Sequence, residues 1–432
     1  MQQSQRCEYN HALEYAVREA NRLNLQLLVV FGLTDRYPEA NLRHYTFLLE
    51  GLQETQKTLA RRGIKLVVQL GNPPQIALSH CREQAALLVC DRGYLRHQKA
   101  WRREVAAKAD VPVVQIESDV ILPIEEVSEK AEFTARTIRT KILKHLERYL
   151  SSLDMEKIDR PSLDYPIDGV NLDDIEKVLV SLPVDRQVSP VSRFFRGGTS
   201  RAKKLFHHFL QHRLSRYEDH HNQPQTDDTS TMSPYLHFGQ ISPIYLALQI
   251  KKATGVPESA KAAYLEELIV RRELAVNFVF YNPAYDSFAG IPDWARNTLT
   301  THKKDKRPYI YTKQQLESGR THDPYWNAAM NEMKVTGFMH NYMRMYWGKK
   351  VLEWSASPEE AYDTLVSINN KYLVDGRDPN SYTGVGWIFG LHDRPWKERP
   401  IFGKVRTMVA AGLERKCDIN AYLKKVEKRM AV

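Results

Sequence analysis

The chain has 432 residues, 42% of them apolar and 26% charged, with a formal charge of +10 and a pI near 9.2. That length exceeds what one hydrophobic core usually serves, so two domains are expected, and the composition excludes a fibrous or disordered chain. The four cysteines, Cys7, Cys81, Cys90 and Cys417, show no paired spacing. This argues against a disulfide framework and a zinc site, so no metal is expected, and the reading is a reducing, cytoplasmic compartment. The start, MQQSQRCEYNHALE, lacks the apolar stretch of a signal peptide, and the longest apolar stretch, Leu27 to Leu33, is far too short for a bilayer. The positive charge suits either a polyanionic partner or simply a basic surface.

In chain order, residues 11–22 read as an amphipathic helix and Leu25–Gly32 as a short apolar strand. A helix over 43–62 stops at Gly63, and IKLVVQLG at 64–71 is a second strand. A helix opens after Pro73-Pro74, followed by AALLVCDRG at 85–93, a helix over 98–109 and PVVQIES at 112–118. Short apolar strands alternating with helices predict a Rossmann-like parallel sheet covered on both faces. No G-x-G-x-x-G fingerprint follows any of these strands, which argues against a nicotinamide dinucleotide site. The chain also enters a helix before any strand, so the sheet is expected either to lack its first strand or to belong to a chain that begins downstream of its natural start, the second being favoured. Residues 131–150 read as a charged helix, and 151–190, with Pro161, Pro166, Pro183 and Pro190, as a linker. From 193 onward helical patterns dominate, and six of the seven tryptophans lie beyond residue 290. The division expected is an α/β domain over 1–125, a linker over 126–190 and an all-α domain over 191–432.

Four segments of the helical half carry chemistry. Thr229-Ser230-Thr231-Met232-Ser233 sets four hydroxyls in five positions just ahead of an apolar helical stretch, a receptor for phosphate oxygens or an ordinary capped helix. Glu266-Glu267-Leu268-Ile269-Val270-Arg271 is a charged and apolar helical run. Ser367 to Asn380 contains Asn369, Asp375 and Arg377 around a D-G turn pair. Asp393 to Arg406 holds five basic side chains against two acidic ones, interleaved with Trp396 and Phe402. Such a mixture suits a surface that tracks a nucleic-acid backbone and stacks on bases, with a solvated basic loop as the alternative.

Taken in order, these segments resemble the photolyase/cryptochrome family. T-S-T-M-S-P-Y-L-H-F-G is similar to its FAD phosphate loop, and RMYWGKKVLEWS at 344–355 resembles the branch of class II cyclobutane pyrimidine dimer photolyases. The resemblance implies a C-terminal helical FAD domain, with Tyr217, Thr229, Ser230, Thr231, Met232, Ser233, Arg271, Asn341, Arg344, Asn369, Asp375 and Arg377 about the cofactor. Asn369 would face the flavin N5, and Arg344 would hold Asp375 as a charge-assisted pair against the ring edge. Glu267, Met345, Trp387 and Asn369 would be the catalytic set. Asn341 and Met345 stand where relatives that repair (6-4) photoproducts carry histidines, which disfavours that lesion. Val270 replaces a tryptophan of class I members.

Trp347 and Trp354 are seven apart, which on a helix is about 10 Å along the axis on one face. By resemblance, Trp347, Trp326 and Trp354 form an electron relay in that order outward from the flavin. Glu267, Trp387, Arg394, Trp396, Lys397, Arg399 and Lys404 would meet DNA, though Pro395 stands where class II members usually have glycine. The function implied is light-dependent repair of cyclobutane pyrimidine dimers in double-stranded DNA by fully reduced, anionic FAD. An antenna chromophore, a deazaflavin or a folate, is left open. The protein would be a monomer with no obligate protein partner and no membrane partner, nucleoid-associated, or nuclear in a cell with a nucleus. The rival readings are a cryptochrome-like blue-light sensor and a basic helical DNA-binding module fused to a nucleotide-binding sheet.

Overall fold

The first apolar runs fold into the alternation of helix and strand that their spacing predicts, in a computed structural model that describes residues 1–82 and 85–431. Helix α1 (His11–Leu23) starts where Asn10 accepts from the Leu13 N–H and stops at Asn24, whose left-handed φ of 53° turns its own N–H toward Ala20. Strand β1 (Leu28–Leu33) leads through α2 (Leu42–Arg61) to β2 (Lys65–Leu70), and the two pair in parallel with Val29 opposite Leu66 and Phe31 opposite Val68. Helix α3 (Pro73–Arg82), β3 (Leu88–Asp91), α4 (Arg96–Lys108) and β4 (Val113–Ile116) follow, and β3 pairs in parallel with β4. The sequence predicts one parallel sheet. Among the described residues there are instead two separate two-stranded sheets, β1–β2 and β3–β4. The α/β-then-helical fold class stands. The physical reason for the division is that β1 and β3 have no ladder between them, and a cavity separates them.

Residues 151–190 are less of a free tether than their prolines suggest. The Ser162 N–H donates to Gly63 O (2.8 Å) and the Val170 N–H to Val68 O (2.7 Å), so this stretch is tied to the end of α2 and to β2. Ile158, Leu172, Val178 and Leu179 are buried, the last two on α7 (Ile175–Ser181). Proline prevents regular pairing but does not prevent apolar side chains from docking. Two further helices precede it, α5 (Ile124–Val127) and α6 (Ala135–Tyr149).

Two compact units emerge. One gathers Met1–Val127, Ile142–His208 and Thr231–Thr254; the other gathers Ser128–Lys141, Phe209–Ser230 and the chain from Gly255 onward. Chain order and compactness therefore partition the molecule differently. Beyond α7 the chain is helical: α8 (Thr199–His212), α9 (Tyr217–His220), α10 (Ser233–His237), α11 (Pro243–Lys252) and α12 (Glu258–Leu265). A π-helical turn at Glu266–Arg271 joins α12 to α13 (Arg272–Tyr281). There follow α14 (Asp293–Thr301), α15 (Lys313–Ser318), α16 (Pro324–Thr336), α17 (Asn341–Trp354), α18 (Pro358–Tyr372), α19 (Pro379–Ile388), α20 (Ala410–Lys416) and α21 (Ile419–Met430). No helix among the described residues is long and apolar enough to cross a membrane.

Three helix starts position the chemistry. Asp323 accepts from the Tyr325 and Trp326 N–H groups ahead of Pro324, which fixes where Trp326 leaves α16. His340 accepts from the Tyr342 N–H and starts α17, and Asp378 accepts from the Asn380 N–H and starts α19. Helices α17 and α19 approach closely at Gly348, where an added Cβ would fall 1.9 Å from Ile388 Cδ1. A side chain larger than hydrogen fits there only if the Ile388 side chain moves away.

Candidate functional site

The centre of the second unit is a polar loop between α18 and α19. The Arg344 guanidinium on α17 bonds both carboxylate oxygens of Asp375, at 3.0 and 2.9 Å, and its Nε donates to Met339 O at 2.9 Å. The Arg344–Asp375 pair expected from the sequence is thus present, with the carboxylate 7% exposed. A charged pair this far from water is costly unless its remaining valences are satisfied, and here the backbone takes part. Ser381 Oγ donates to Asp375 O at 2.8 Å. Asn370 is the hub of the loop. Its side-chain oxygen accepts from the Asn369 amide (3.2 Å) and from the Arg377 N–H (2.8 Å), and its carbonyl accepts from Arg377 Nη1 (3.1 Å). Arg377 sits at φ 63°, and Gly376 is required because a Cβ would lie 2.9 Å from Asn370 Cα. Asn369 and Asp375 are thereby fixed on one rigid loop.

Tyr217 is buried on α9. Its ring stands edge-on to Phe209 (5.8 Å) and Tyr264 (5.2 Å) and is stacked on His221 (5.4 Å). Burial pushes its hydroxyl above the ordinary tyrosine range. Tyr264 OH donates to Ser230 Oγ at 3.0 Å. Thr231 holds a left-handed φ of 55°, a conformation that non-glycine residues enter only under local direction. Thr229 and Ser230 belong to the second unit, while Thr231, Met232 and Ser233 belong to the first. The helix that Ser233 opens, α10, has five residues. Its dipole is therefore small, and any affinity for phosphate rests mainly on the hydroxyls and N–H groups of the loop.

Glu267 and Arg271 lie in the π turn, a local under-winding that occurs often at functional sites. The Glu267 side chain is reached by solvent yet crowded by protein on most sides. Desolvation by that surround lifts its carboxyl above the usual range, against the opposing pull of Arg271 and His221. Arg271 is about half exposed and pairs with Glu266 at 3.3 Å, which Arg139 also binds, at 2.7 Å. Asn341 and Met345 lie one turn apart on α17, Asn341 exposed and Met345 half-buried.

The three tryptophans form a contiguous path. Trp347 and Trp326 are stacked with centroids 6.4 Å apart and an interplanar angle of 16°, and Trp326 meets Trp354 at 5.7 Å. Trp326 on α16 therefore bridges the two residues of α17, in the order the sequence suggests. Its indole N–H donates to Trp347 O at 3.0 Å, which locks the ring. Trp354 is itself buried, and the rings of Tyr311 (5.5 Å) and His322 (5.0 Å) pack against it, with Tyr311 OH 2.8 Å from His322 Nδ1.

Trp387 ends α19 in a column of alternating rings and cations. Lys349 Nζ lies 5.5 Å and Arg406 Cζ 5.2 Å from its ring centroid. Arg406 also stacks on Trp396 at 4.3 Å, with Arg394 at 5.5 Å from the same ring. Asp393 fastens Arg406 through Nε (3.0 Å) and Nη2 (3.2 Å). Trp396 is 40% exposed, and Arg394, Lys397, Arg399 and Lys404 are exposed around it. Lys349, fully buried, donates to Ile388 O at the end of α19. Burial lowers its amine to about 7; Asp393 opposes that shift and Arg406 adds to it.

Sequence reasoning singled out neither Lys349 nor His340. His340 is 3% exposed, and its Nδ1 accepts from the Tyr342 N–H, which leaves the ring proton on Nε2. Burial lowers its pKa to about 3, so the ring is neutral. That Nε2, and the Nε1 of Trp347, are buried donors without an acceptor among the described residues. Unsatisfied buried donors are rare in folded proteins. The one sequence signal for His340 was its place immediately before a helix.

A family model described as DNA photolyase matches residues 1–162. Over 426 residues the chain is 49% identical to the deoxyribodipyrimidine photo-lyase of Methanothermobacter thermautotrophicus, covering 99% of this chain and 93% of that one. It is 38% identical to the deoxyribodipyrimidine photo-lyase of Potorous tridactylus, over 99% of this chain and 80% of the relative. The crystal structure of a class III photolyase from Agrobacterium tumefaciens superposes with a TM-score of 0.74 at 18% identity, over 98% of this chain and 84% of that one, which shows the fold alone. With whole-chain likeness at this level, and the motifs in register, the chain belongs to the deoxyribodipyrimidine photo-lyase family, in its class II branch.

Proposed function

We infer that the chain is a light-driven DNA repair lyase that reopens the cyclobutane ring of pyrimidine dimers. The observation that carries this reading is the 49% identity to a deoxyribodipyrimidine photo-lyase over 99% of the chain. The cofactor of this family is FAD, which when bound and reduced supplies, on absorbing light, one electron to the dimer and recovers it after the ring opens.

The residues present fit such a group. Arg344, Asp375, Asn369 and Arg377 would hold the polar edge of the ring system, on a loop whose own hydrogen bonds already fix it. The hydroxyl loop Thr229–Ser233 would take the phosphates. Tyr217, Arg271 and Asn341 would complete the cradle. The neutral His340 and the Trp347 indole bring buried N–H groups that lack acceptors among the described residues.

Desolvation raises the Glu267 carboxyl above its usual range, which favours the protonated form that would donate a hydrogen bond to a pyrimidine carbonyl as negative charge develops there. Trp387 and Met345 would flank the extruded dimer, and extrusion is the general device by which photolyases reach their substrate. Trp396 and the exposed cations beside it would hold the flanking strands through phosphate contacts and stacking. Trp347, Trp326 and Trp354 are close enough for an electron to hop inward from ring to ring.

The test is an illumination assay on purified protein, chemically reduced, with an oligonucleotide holding one thymine dimer. Ultraviolet absorbance should recover in light and stay flat in the dark. FAD retained with no recovery would leave the protein a light sensor. Glu267→Ala should lower the repair yield per photon while FAD content stays unchanged; an unchanged yield would remove the carboxyl from the reaction.

A further inference from the structure

The last carbonyls of an α-helix have no partner within the helix, and their partial negative charge favours a cation nearby. At the end of α19 the Gly386 carbonyl accepts from the Phe389 and Leu391 N–H groups, and the Trp387 carbonyl from that of Gly390. The Ile388 carbonyl accepts from Lys349 Nζ, which arrives from α17. Lys349 is fully buried. An ammonium away from water is costly, and one hydrogen bond offsets only part of that cost. The Trp387 ring, its centroid 5.5 Å from Nζ, and the Asp393 carboxylate also favour the charge there.

One ammonium therefore holds both the backbone and the ring of the last turn of α19. The indole has a second cation, Arg406 at 5.2 Å, but Arg406 is 38% exposed and stacks also on Trp396. Arg406 ties the ring to the exposed basic loop, whereas Lys349 ties it to the interior. Met345 and Lys349 are four residues apart on α17, so they share one face of that helix, one turn apart. Arg344, which grips Asp375, is on the same helix. The position of Trp387 is thus referred to the element that carries Met345 and the Arg344–Asp375 pair.

We propose that Lys349 is a positioning residue of the lesion pocket, which from beneath Trp387 sets the distance and tilt of the indole relative to Met345. The proposal rests on the reading that Trp387 and Met345 flank the extruded dimer. The width of the slot between them then depends on a side chain that touches no substrate. Undamaged DNA does not fill that slot and is held by phosphate contacts from the exposed cations around Trp396. Lys349 therefore governs the preference for damaged over undamaged DNA and leaves the affinity for DNA in general alone.

The charge matters as well as the hydrogen bond. A neutral amine still donates to the Ile388 carbonyl, but it loses the electrostatic attraction to the indole face. Burial brings the Lys349 amine to about 7, with Asp393 favouring its charged form and Arg406 opposing it. Its hold on the ring is therefore complete at pH 6 and weakened at pH 9. A lysine that only capped α19 would keep its hydrogen bond across that range and give no such dependence.

The experiment titrates the full-length, FAD-loaded protein in the dark with a labelled duplex holding one thymine dimer and with the same duplex undamaged, from pH 6 to pH 9. The quantity followed is the ratio of the two affinities. That ratio removes the effect of His302, whose pKa Glu398 and Asp305 raise and whose charge acts on any DNA near the basic loop. The parent ratio should fall about fivefold between pH 6 and pH 9, and Lys349→Met should be about tenfold lower at pH 6 and flat with pH. FAD content and the affinity for undamaged DNA should stay unchanged in that variant. Trp387→Ala separates the two readings. A preference lost in Trp387→Ala but kept in Lys349→Met overturns the role of Lys349 alone, and one kept in both removes Trp387 from the pocket and the proposal with it. Equal weakening of both duplexes in Lys349→Met would make the lysine merely structural and overturn the proposal. Where Lys349→Met fails to fold, the parent protein decides: a ratio constant between pH 6 and pH 9 overturns it.

Discussion

Two loops of the helical unit are built around the same chemical pair, and they differ in what surrounds it. Asp375 holds Arg344 with the two side chains 7% and 20% exposed. Asp393 holds Arg406 with the carboxylate 9% exposed and the guanidinium 38%. The first pair is closed in by Asn370, Ser381 and the Met339 carbonyl, so its geometry is fixed in advance. The second lets its arginine lie between two indole faces, one half-buried and one open to solvent. The difference teaches how one chain separates two tasks. A fixed charge array suits a cofactor that never leaves, while a propped aromatic and basic surface suits a partner that comes and goes.

Variants can break that contrast, starting with the largest effect. Trp354→Phe should block photoreduction of the flavin while repair by chemically reduced protein proceeds normally; unimpaired photoreduction in a flash experiment would discard the relay. Asp375→Ala strands the Arg344 charge and should cost about 3 kcal/mol of stability, seen in urea unfolding, with FAD lost on gel filtration. Asp393→Ala should cost only about 1 kcal/mol, keep FAD and weaken dimer-DNA binding. Equal losses in the two aspartate variants would mean that burial does not separate the loops. Lys397→Ala and Arg399→Ala should each weaken DNA binding irrespective of sequence and lower the log–log salt slope by about 0.9 if each residue meets one phosphate.

The smallest effect is on pH. Burial holds His340 near 3 and His392 near 4, both below the ordinary histidine value of 6.5. Below 6.5 the unfolded chain gains protons that the folded chain refuses, so stability is intact above that pH and declines as pH falls toward 4. Replacing His340 with Asn should flatten part of this decline in melting curves taken between pH 7 and pH 4. A profile parallel to the parent would remove His340 as a source.

Most of the site was legible because its signals are local. The hydroxyl run at 229–233, the Asn369 and Asp375 loop and the basic aromatic stretch at 393–406 are each one short segment, and their order along the chain carries the resemblance. The Arg344–Asp375 pair, too, was expected from the resemblance. Local signals failed where the outcome depends on two segments at once. Nothing in EELIVR announces a π turn, and nothing in RMYWGKK says that Lys349 will end under Trp387 while Lys350 pairs with Glu353. Gly348 makes the difference, because it admits Ile388 against α17 and brings the end of α19 over Lys349.

The sequence by itself determined the alternation of strand and helix, the change to a helical half and the family, and it named the candidate site residues. These rest on periodicity, on turn and cap residues and on motif order, all of which are properties of neighbouring residues. Only the tertiary structure decided that the strands make two small sheets with a cleft between them, that the Trp326 ring lies nearly parallel to that of Trp347, and that the Glu267 carboxyl is lifted by its surroundings. Desolvation, ring stacking and strand pairing are set by atoms that arrive from distant parts of the chain, and no window of sequence contains them.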